Sequence, residues 1–305
     1  MESTKRLEGA MSRLTIIILS YNTKELLCNC LRSIELQEHA QWKIVVVDNG
    51  STDGSVEMVK KEFPRVTVMQ QQKNLGFAAG NNVALRLVDT AYVMLLNSDA
   101  ELLQGENIDK LVEYMEQYSE VGVVTPKIVL DDGNIDMSCH RGVPTPWSGF
   151  TYFSGIEKMI GKLPLLNIVF GRYHQLWKNM DKVHEIDVCS AAAMVVRAKA
   201  MQDVGLLDER YFFYAEDIDW CVSFKHKGWR VQYFPAVKVL HHKWKAGMNR
   251  KITTKQELEM QKRAKSMFFD TMEEFYRKHY AQTYPRWFMN FVLFGIRTIK
   301  KMKGA

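Results

Sequence analysis

In the first half of the chain, continuous apolar runs alternate with segments whose apolar residues recur at helical spacing. Apolar, β-branched runs predict strands buried on both faces, and they lie at 14–19, 43–47, 66–69, 92–96 and near 121–130. Helical patterns lie between them, at 26–34, at 56–63, within 74–88 and near 106–118. Strands that alternate with helices at this spacing predict a mostly parallel sheet in a three-layer α/β fold.

Polar residues follow the predicted strands at the points where those strands end. Tyr21 and Asn22 follow the first strand, Asp48 ends the second, and Asp99 follows the fourth. In sheets of this type, ligands bind outside the carboxyl ends of the strands, so these residues predict a binding site. Asn22 also predicts the N-cap of the first helix, with Glu25 in a capping-box pattern.

The loops after the second and third strands offer groups for a nucleotide. Asp48 and Asp53 suit hydrogen bonds to a ribose or a base edge, although Asp-Asn-Gly-Ser is also simply a good turn sequence. Gly76 and Gly80 would allow the backbone to approach a ligand closely. The sequence leaves the turn and the nucleotide site open as alternatives.

In the second half, an aromatic run at 211–214 is followed by Glu216, Asp217 and Asp219. A helix is predicted to begin there, and acidic residues favour a helix N-terminus through the helix dipole. Local helix chemistry therefore explains part of this pattern without any catalysis. A carboxylate behind an aromatic wall also suits the role of a general base.

Asp99 is a candidate ligand for a divalent cation. Carboxylate oxygens suit Mg²⁺ or Mn²⁺, and a nucleoside diphosphate would supply further oxygens. His241 follows the last predicted strands, at 231–234 and 237–240, and is a second candidate because imidazole suits Mn²⁺ better than Mg²⁺. A single histidine is as often structural, so both roles remain open.

The chain has 305 residues and a net charge of +6, and its composition differs between segments. We predict a disordered leader at 1–11, an α/β domain at 12–245 with an irregular insertion at 131–186, and a basic helical tail at 246–305. The five cysteines include no CxxC pair, which predicts free thiols in a reducing compartment. No signal sequence and no spanning stretch are predicted, which indicates a cytoplasmic protein.

Five segments and one histidine together resemble glycosyltransferase family 2, the inverting enzymes with a GT-A fold. They are TIIILSYN (15–22), VVVDNGSTDGS (45–55), NLGFAAGNN (74–82), LLNSDAEL (95–102), GLLDERYFFYAEDIDWC (205–221) and His241. Each segment is modest alone, but the ordered set is highly specific. The resemblance is nearest to the rhamnosyltransferase-like branch that builds bacterial surface polysaccharides.

This resemblance implies transfer of a sugar from dTDP-rhamnose or a UDP-sugar to a glycan or polyprenyl-linked acceptor. It implies Asp217 as the base with Glu216 beside it, and Asp99 with His241 as ligands of Mg²⁺ or Mn²⁺. The chain departs from the family's DxD motif at Asn97, a substitution that is common in this branch. The residues implied to contact the nucleotide are Ser20, Tyr21, Asn22, Asp48, Asn49, Ser51, Asp53, Asn74, Gly76 and Asn97.

Other candidates concern the sugar, the acceptor and the tail. Tyr214 and Trp220 offer rings that stack on sugars, although core packing explains each equally well. The insertion at 131–186 would form a mobile lid on the acceptor side. In the tail, the apolar segment from Trp287 to Ile296 precedes a basic cluster. This pattern predicts a helix at the inner face of the plasma membrane, drawn to anionic lipid rather than nucleic acid, or else a helix packed on the domain.

Three other classes of protein are weighed against this assignment. A dinucleotide-dependent oxidoreductase needs GxGxxG after the first strand, where this chain has SYNTKE. A nucleotidyltransferase would want a glycine-rich, basic loop at the same place, and the chain has none. A non-catalytic nucleotide-sugar or glycan-binding protein would not need both Asp99 and Asp217.

Overall fold

Nine strands form one sheet in the part of the chain that this computed structural model describes, residues 12–37, 42–161, 163–243 and 255–304. The strands are β1 (Leu14–Ser20), β2 (Lys43–Asp48), β3 (Thr67–Gln70), β4 (Tyr92–Asn97), β5 (Ala100–Leu102), β6 (Val121–Leu130), β7 (His184–Ile186), β8 (Ala193–Arg197) and β9 (Arg230–His241). The α-helices of the same residues are α1 (Lys24–Glu35), α2 (Ser55–Glu62), α3 (Phe77–Leu85), α4 (Asp109–Gln117), α5 (Pro146–Phe153), α6 (Ile156–Ile160), α7 (Asn167–Phe170), α8 (Ala198–Val204), α9 (Glu216–His226), α10 (Lys255–Tyr280) and α11 (Arg286–Met302).

The sheet is mixed, and its two halves differ in strand direction. The strand order is β3-β2-β1-β4-β8-β6-β9-β5, and β7 also pairs with β9. Strands β3, β2, β1 and β4 are parallel, and β6 is parallel to β9. Strand β8 is antiparallel to β4 and β6, and β5 and β7 are antiparallel to β9. The expected α/β fold is confirmed, but its mostly parallel sheet describes only the first half, where strands and helices alternate.

Apolar side chains determine the central strands and their cover. Ile16, Ile17 and Ile18 of β1 are fully buried, as expected for a strand covered on both faces. Helix α1 buries Leu27 and Leu31 against this sheet. The carboxyl ends of β1, β2 and β4 therefore lie side by side at one edge of a rigid core.

The predicted N-cap at Asn22 is wrong, because α1 begins at Lys24 and a distant side chain caps it. Asn22 has a left-handed backbone with φ of 52°, and its carboxamide oxygen accepts a hydrogen bond from the Thr52 N–H at 2.8 Å. The carboxylate of Asp53 instead accepts a hydrogen bond from the Lys24 N–H at 2.9 Å. A local sequence pattern cannot show a cap that arrives from the next loop.

The insertion at 131–186 is more regular than predicted. It contains a 3-10 helix at Met137–Cys139 and helices α5 to α7, and it ends in β7, which joins the sheet. Helix α5 begins with a capping box formed by Thr145 and Ser148. The hydroxyl of Tyr276 in α10 donates to the Thr145 carbonyl at 3.0 Å, so the insertion packs against the C-terminal helices.

Helices α10 and α11 form a C-terminal pair on the α/β domain. Helix α11 places one apolar face inward, through Met289, Leu293 and Ile296. This packing favours the packed-helix alternative for that face, and contact of the tail with a membrane stays a prediction. No described helix is long and apolar enough to cross a bilayer. The predicted leader at 1–11 and the predicted boundary at 245–246 lie outside the described residues.

Candidate active site

Asp48 lies at the end of β2, in register with Ser20 at the end of β1. Its carboxylate is buried, and Oδ2 accepts a hydrogen bond from the Ser51 N–H at 3.1 Å. Oδ1 has no hydrogen-bond partner among the described residues. A buried carboxylate oxygen without a donor is costly, so this atom indicates a ligand group that donates to it.

Hydrogen bonds across the strand ends hold the surrounding loop. The Asn22 N–H donates to the Ser51 hydroxyl at 2.9 Å, and the Ser20 hydroxyl lies 3.0 Å from that of Thr23. Tyr21 lies next to these hydrogen-bonded residues. Its side chain is partly exposed, so its ring can stack on a base. The structure brings these predicted nucleotide residues together at one edge, and their contact with a nucleotide stays a prediction.

Asp53 is occupied by the protein's own backbone. One oxygen caps α1, as described above, and Oδ1 accepts from the Ser55 N–H at 3.0 Å at the start of α2. Burial opposes ionisation, but the Ser55 and Lys24 hydrogen bonds outweigh it and lower the pKa of Asp53. Asp53 thus fixes the loop that carries Asp48.

Asn49 and Asn74 brace the glycine-rich loop. The Asn49 carboxamide donates to Asn74 Oδ1 at 3.0 Å and to the Gly76 carbonyl at 3.1 Å. A Cβ on Gly76, whose φ is 87°, would lie 2.5 Å from the Phe212 carbonyl oxygen, and one on Gly80 would meet a side chain of β1. A side chain at either position would meet protein atoms, so packing alone requires these glycines, and their contact with a ligand stays a prediction.

Asp99 and His241 meet at the end of the sheet, where β5 pairs with β9. Asp99 Oδ1 lies 3.2 Å from His241 Nε2, and both side chains are buried. Asp136 Oδ2 lies 3.1 Å from the other ring nitrogen, Nδ1. Burial alone would lower the pKa of His241, but hydrogen bonds with Asp136 and Asp99 raise it to about 9.

Once His241 loses its second ring proton, the donor set fits a divalent cation held by two residues and a ligand's oxygens. Two neighbouring ligands of an octahedral Mg²⁺ lie about 3 Å apart, which is close to the Asp99–His241 separation. The Asp136 carboxylate orients the imidazole as such partners do in metal sites. Within the described ranges, no three His, Cys, Asp or Glu side chains converge on one metal position. Diphosphate oxygens would complete the coordination.

Backbone hydrogen bonds connect the predicted metal pair to the predicted base. The Asn97 N–H donates to the Ala192 carbonyl at 3.0 Å. The carboxamide nitrogen of Asn97 lies 3.4 Å from His241 Nε2. The Ala191 N–H points at Asp217 Oδ2 from 3.4 Å. The segment before β8 therefore places the two acidic positions on the same edge of the sheet.

Asp217 and Glu216 begin α9 in different surroundings. Asp217 Oδ2 lies 3.5 Å from a guanidinium nitrogen of Arg141, and both side chains are mostly buried. Glu216 Oε2 is buried without a partner among the described residues. Burial, and then the charge of Asp217, raise the pKa of Glu216 well above its usual range. Asp217 is thus the carboxylate with a cation beside it, whereas burial disfavours the charged form of Glu216.

The backbone before these carboxylates is strained. Tyr214 and Ala215 have consecutive positive φ angles, 74° and 68°. Such conformations cost of order 1 kcal/mol or more for a residue with a side chain, and they concentrate at functional sites. Here they turn the chain so that Glu216 and Asp217 form the first turn of α9.

A cavity of about 70 Å³ opens beside Asp217. Its walls are mainly apolar and come from α5, the start of α9 and α10, with Phe153, Tyr214 and Phe268 among them. Arg141 also lines it, so the cation that faces Asp217 is within reach of a molecule placed there. Tyr214 therefore remains a candidate for contact with an acceptor or donor sugar.

Trp220 corrects a prediction, because its ring is only 1% exposed and cannot stack on a sugar. Its indole N–H donates to the Gly205 carbonyl at 2.9 Å, and the ring packs on Phe224. Asp219, the third carboxylate of the cluster, binds Lys278 and His279 of α10 and is structural.

Two residues of the site are absent from the sequence-based predictions. Arg141 faces Asp217, and Asp136 orients His241. Both lie in the insertion, whose sequence lacks a periodic pattern. The turn signal at Asp131–Gly133 marks the chain reversal that brings Asp136 back along β6 to the end of β9.

The fold is that of a GT-A domain. The profile of glycosyl transferase family 2 matches residues 15–192, more than half of the chain. The chain belongs to glycosyl transferase family 2, and the resemblance seen in the sequence is confirmed.

Relatives and solved structures agree with this membership. The chain is 28% identical over 241 residues to an N-acetylglucosaminyl-diphospho-decaprenol L-rhamnosyltransferase of Mycobacterium tuberculosis, covering 75% of this chain and 76% of that protein. It is similar to S. aureus TarS 1-349 in complex with UDP-GlcNAc, with a TM-score of 0.51, 16% identity, and 84% and 66% of the two chains covered. A mannosyltransferase from Pyrobaculum calidifontis, in complex with GDP-Man and Mn²⁺, gives a TM-score of 0.51, 20% identity, and 78% and 59% coverage. At these identities the two structures show the fold alone.

Proposed function

We propose that this chain is an inverting glycosyltransferase of cell-surface glycan synthesis that uses a nucleoside-diphosphate sugar. The observation that supports the proposal is that three unlike groups meet at one sheet edge. Asp48 offers a nucleoside an oxygen that has no partner among the described residues, and the Asp99–His241 pair suits a cation on a diphosphate. Asp217 contacts Arg141, and Arg141 lines the cavity. A binding protein would need the first two groups but not the third.

In this proposal, Asp217 accepts the proton of an acceptor hydroxyl while that oxygen attacks the anomeric carbon of the donor. The new carbon–oxygen bond forms on the face opposite the diphosphate. The bond to the diphosphate breaks and its electron pair leaves with the nucleotide, so the configuration inverts. Arg141 holds Asp217 toward the acceptor side through their 3.5 Å contact. Burial and the nearby charge of Asp217 disfavour a second negative charge on Glu216.

Asp99 and His241 would hold Mg²⁺ or Mn²⁺ in this scheme. When bound, such a cation would neutralise the charge that develops on the leaving diphosphate. The buried Asp136–His241 contact keeps the imidazole in place before any donor arrives. We therefore propose a metal-dependent transferase.

We propose dTDP-rhamnose as the donor and a polyprenyl-diphosphate-linked sugar as the acceptor, with a UDP-sugar as the alternative donor. The relative that matches three quarters of this chain is named as an L-rhamnosyltransferase on such a lipid.

The outer face of α11 is proposed as a contact with the membrane that carries such an acceptor. Trp287, Phe291 and Phe294 lie at i, i+4, i+7 spacing and are exposed, while the opposite face packs inward. Lys301 and Lys303 follow at the end of the helix. An apolar face beside cations suits an anionic lipid surface.

A donor screen with the purified chain tests the enzymatic proposal. We expect hydrolysis or transfer from one nucleotide-sugar in the presence of Mn²⁺. Asp217→Asn should reduce turnover by on the order of 10² while the nucleotide still stabilises the protein against heat. Near-normal turnover in this variant would remove Asp217 from the mechanism, and a screen in which no nucleotide-sugar is turned over or stabilises the fold would overturn the proposal.

A further inference from the structure

Exposed apolar side chains crowd the insertion helices α5 to α7. We call this surface the insertion face, and its main members are Trp147, Phe150, Met159, Leu165, Leu166 and Ile168. Met159 is 79% exposed and Leu165 is 81% exposed. Monomeric proteins rarely leave so many large apolar side chains in water without a use for them.

The insertion face is continuous between α5 and α7. The Trp147 indole N–H donates to the Val169 carbonyl at 2.9 Å, and its ring lies 5.7 Å from that of Phe170. Leu165, in the loop before α7, has a left-handed φ of 69°, which is costly for a leucine. The loop therefore holds an apolar side chain outward, although exposure and backbone conformation both oppose it.

The exposed charges within the insertion's own stretch of sequence are cations. Between residues 142 and 180 the sequence holds a single carboxylate before Asp181, that of Glu157. Glu157 is buried and lies 2.6 Å from His174 Nδ1, so it does not face outward. Lys158 and Arg172 are exposed. Apolar side chains beside exposed cations complement an anionic bilayer surface, where each nearby cation raises the binding affinity about a few-fold.

Helix α5, which carries part of the insertion face, also lines the cavity near the start of α9. Gly149 and Phe153 of α5 line that cavity, with Ala215 and Ile218 of the α9 start across from them. A bilayer on the exposed side of α5, at Trp147 and Phe150, would therefore be separated from the cavity by that one helix. A sugar carried on a membrane lipid would have a short path to the catalytic carboxylate.

We propose that the insertion face docks on an anionic bilayer surface and presents a lipid-linked acceptor to Asp217. The part that concerns the acceptor rests on the proposed function, whereas the docking does not. In this proposal the insertion, which the sequence predicts to be a lid on the acceptor side, is instead the surface that binds the bilayer. The surface is distinct from the outer face of α11, so variants can separate the two.

Flotation with vesicles tests this docking directly. The probe is vesicles of phosphatidylcholine and phosphatidylglycerol in equal parts, with pure phosphatidylcholine vesicles for comparison. The test variant carries Met159→Gln, Leu165→Gln and Ile168→Gln. The control carries Leu36→Gln and Leu87→Gln, two side chains that are 65% and 67% exposed on the α/β domain. We expect the wild type and the control to float with anionic vesicles, and the test variant to partition at least about tenfold more weakly.

Further outcomes separate this proposal from its rivals. A test variant that floats as well as the wild type overturns it, and loss of flotation only in Trp287→Ser, Phe291→Ser, Phe294→Ser would assign docking to α11 alone. A wild type that does not float, but forms a dimer that the test variant dissociates, makes the face a protein interface. Nucleotide-sugar hydrolysis in solution is measured on the same samples. Hydrolysis without flotation overturns the docking alone, and flotation with no donor hydrolysed overturns the proposed function alone.

Discussion

Substituting Asp219 by Asn tests whether neighbouring carboxylates of α9 divide into a catalytic and a structural role. Asp219 is buried, and its two oxygens lie 2.7 Å from Lys278 Nζ and 2.7 Å from His279 Nε2. Asn keeps the shape but removes the charge. The variant therefore weakens the connection between α9 and α10 without opening a cavity.

The cost follows from the burial of the partners. Breaking a buried ion pair by removing one partner costs about 3–5 kcal/mol. Lys278 is 27% exposed and keeps a 2.7 Å contact with Asp208, so solvent and that carboxylate compensate part of the loss. We expect a decrease of about 2–3 kcal/mol in the free energy of unfolding. In a domain of this size, that corresponds to a Tm lower by roughly 4–12 °C.

The assay is guanidinium-induced and thermal unfolding of Asp219→Asn beside Asp217→Asn. Asp217→Asn should lose turnover and little stability, because its contact with Arg141 is long at 3.5 Å. Asp89→Asn is the matched control, since it breaks the exposed pair of Asp89 with Lys43 and should leave the midpoint unchanged. A wild-type midpoint for Asp219→Asn, or a larger loss for Asp217→Asn, would refute the division of roles.

Three further predictions concern metal, pH and aromatic residues. Chelator should abolish activity and Mn²⁺ or Mg²⁺ should restore it in the wild type but not in Asp99→Asn; full activity in excess chelator would contradict this. Burial and then the neighbouring His184 lower the pKa of His140 to about 4. As the pH falls, the unfolded chain therefore binds a proton at this histidine before the folded chain does. Roughly 3 kcal/mol of the free energy of unfolding, present above about pH 6.5, should be lost as the pH falls toward 4. In His140→Phe, the free energy of unfolding should depend less on pH over that range. Trp220→Ala should cost about 3–5 kcal/mol in denaturant unfolding, whereas Tyr21→Ala should leave stability unchanged and weaken nucleotide binding several-fold in calorimetry.

The sequence predicts best where local pattern and burial agree. Strand β1, β2 and β4 boundaries follow from continuous β-branched runs, because only a sheet covered on both faces accommodates them. Strand β5 is absent from the predictions, since three residues carry no period and are strand only through pairing with β9. The sheet's mixed direction has the same cause, because β8 is placed by pairing with β4 and β6 and not by its own sequence.

The site residues also fall into those that local sequence predicts and those that it does not. Asp48, Asp99 and Asp217 are visible in the sequence because they end a strand or begin a helix. The partners that give them chemistry are not visible, since Arg141 reaches Asp217 across 76 positions of sequence. Trp220 is a residue that the sequence wrongly predicts to contact a sugar, because it lies within a motif. Its indole N–H is hydrogen-bonded inside the core instead.

The strained turn at Tyr214 and Ala215 bears on how small an active version of this protein can be. Two left-handed residues persist only where packing holds them, and the ring of Tyr214 is supported by Phe268 of α10 at 5.7 Å. The region that the family profile matches ends at residue 192, before this turn and before its support. A fragment trimmed to that match would lack Asp217 itself, and one that ended after α9 would keep Asp217 but lose the α10 ring that supports the turn. The minimal active unit therefore includes the C-terminal helices, and shortened versions should be designed around α10.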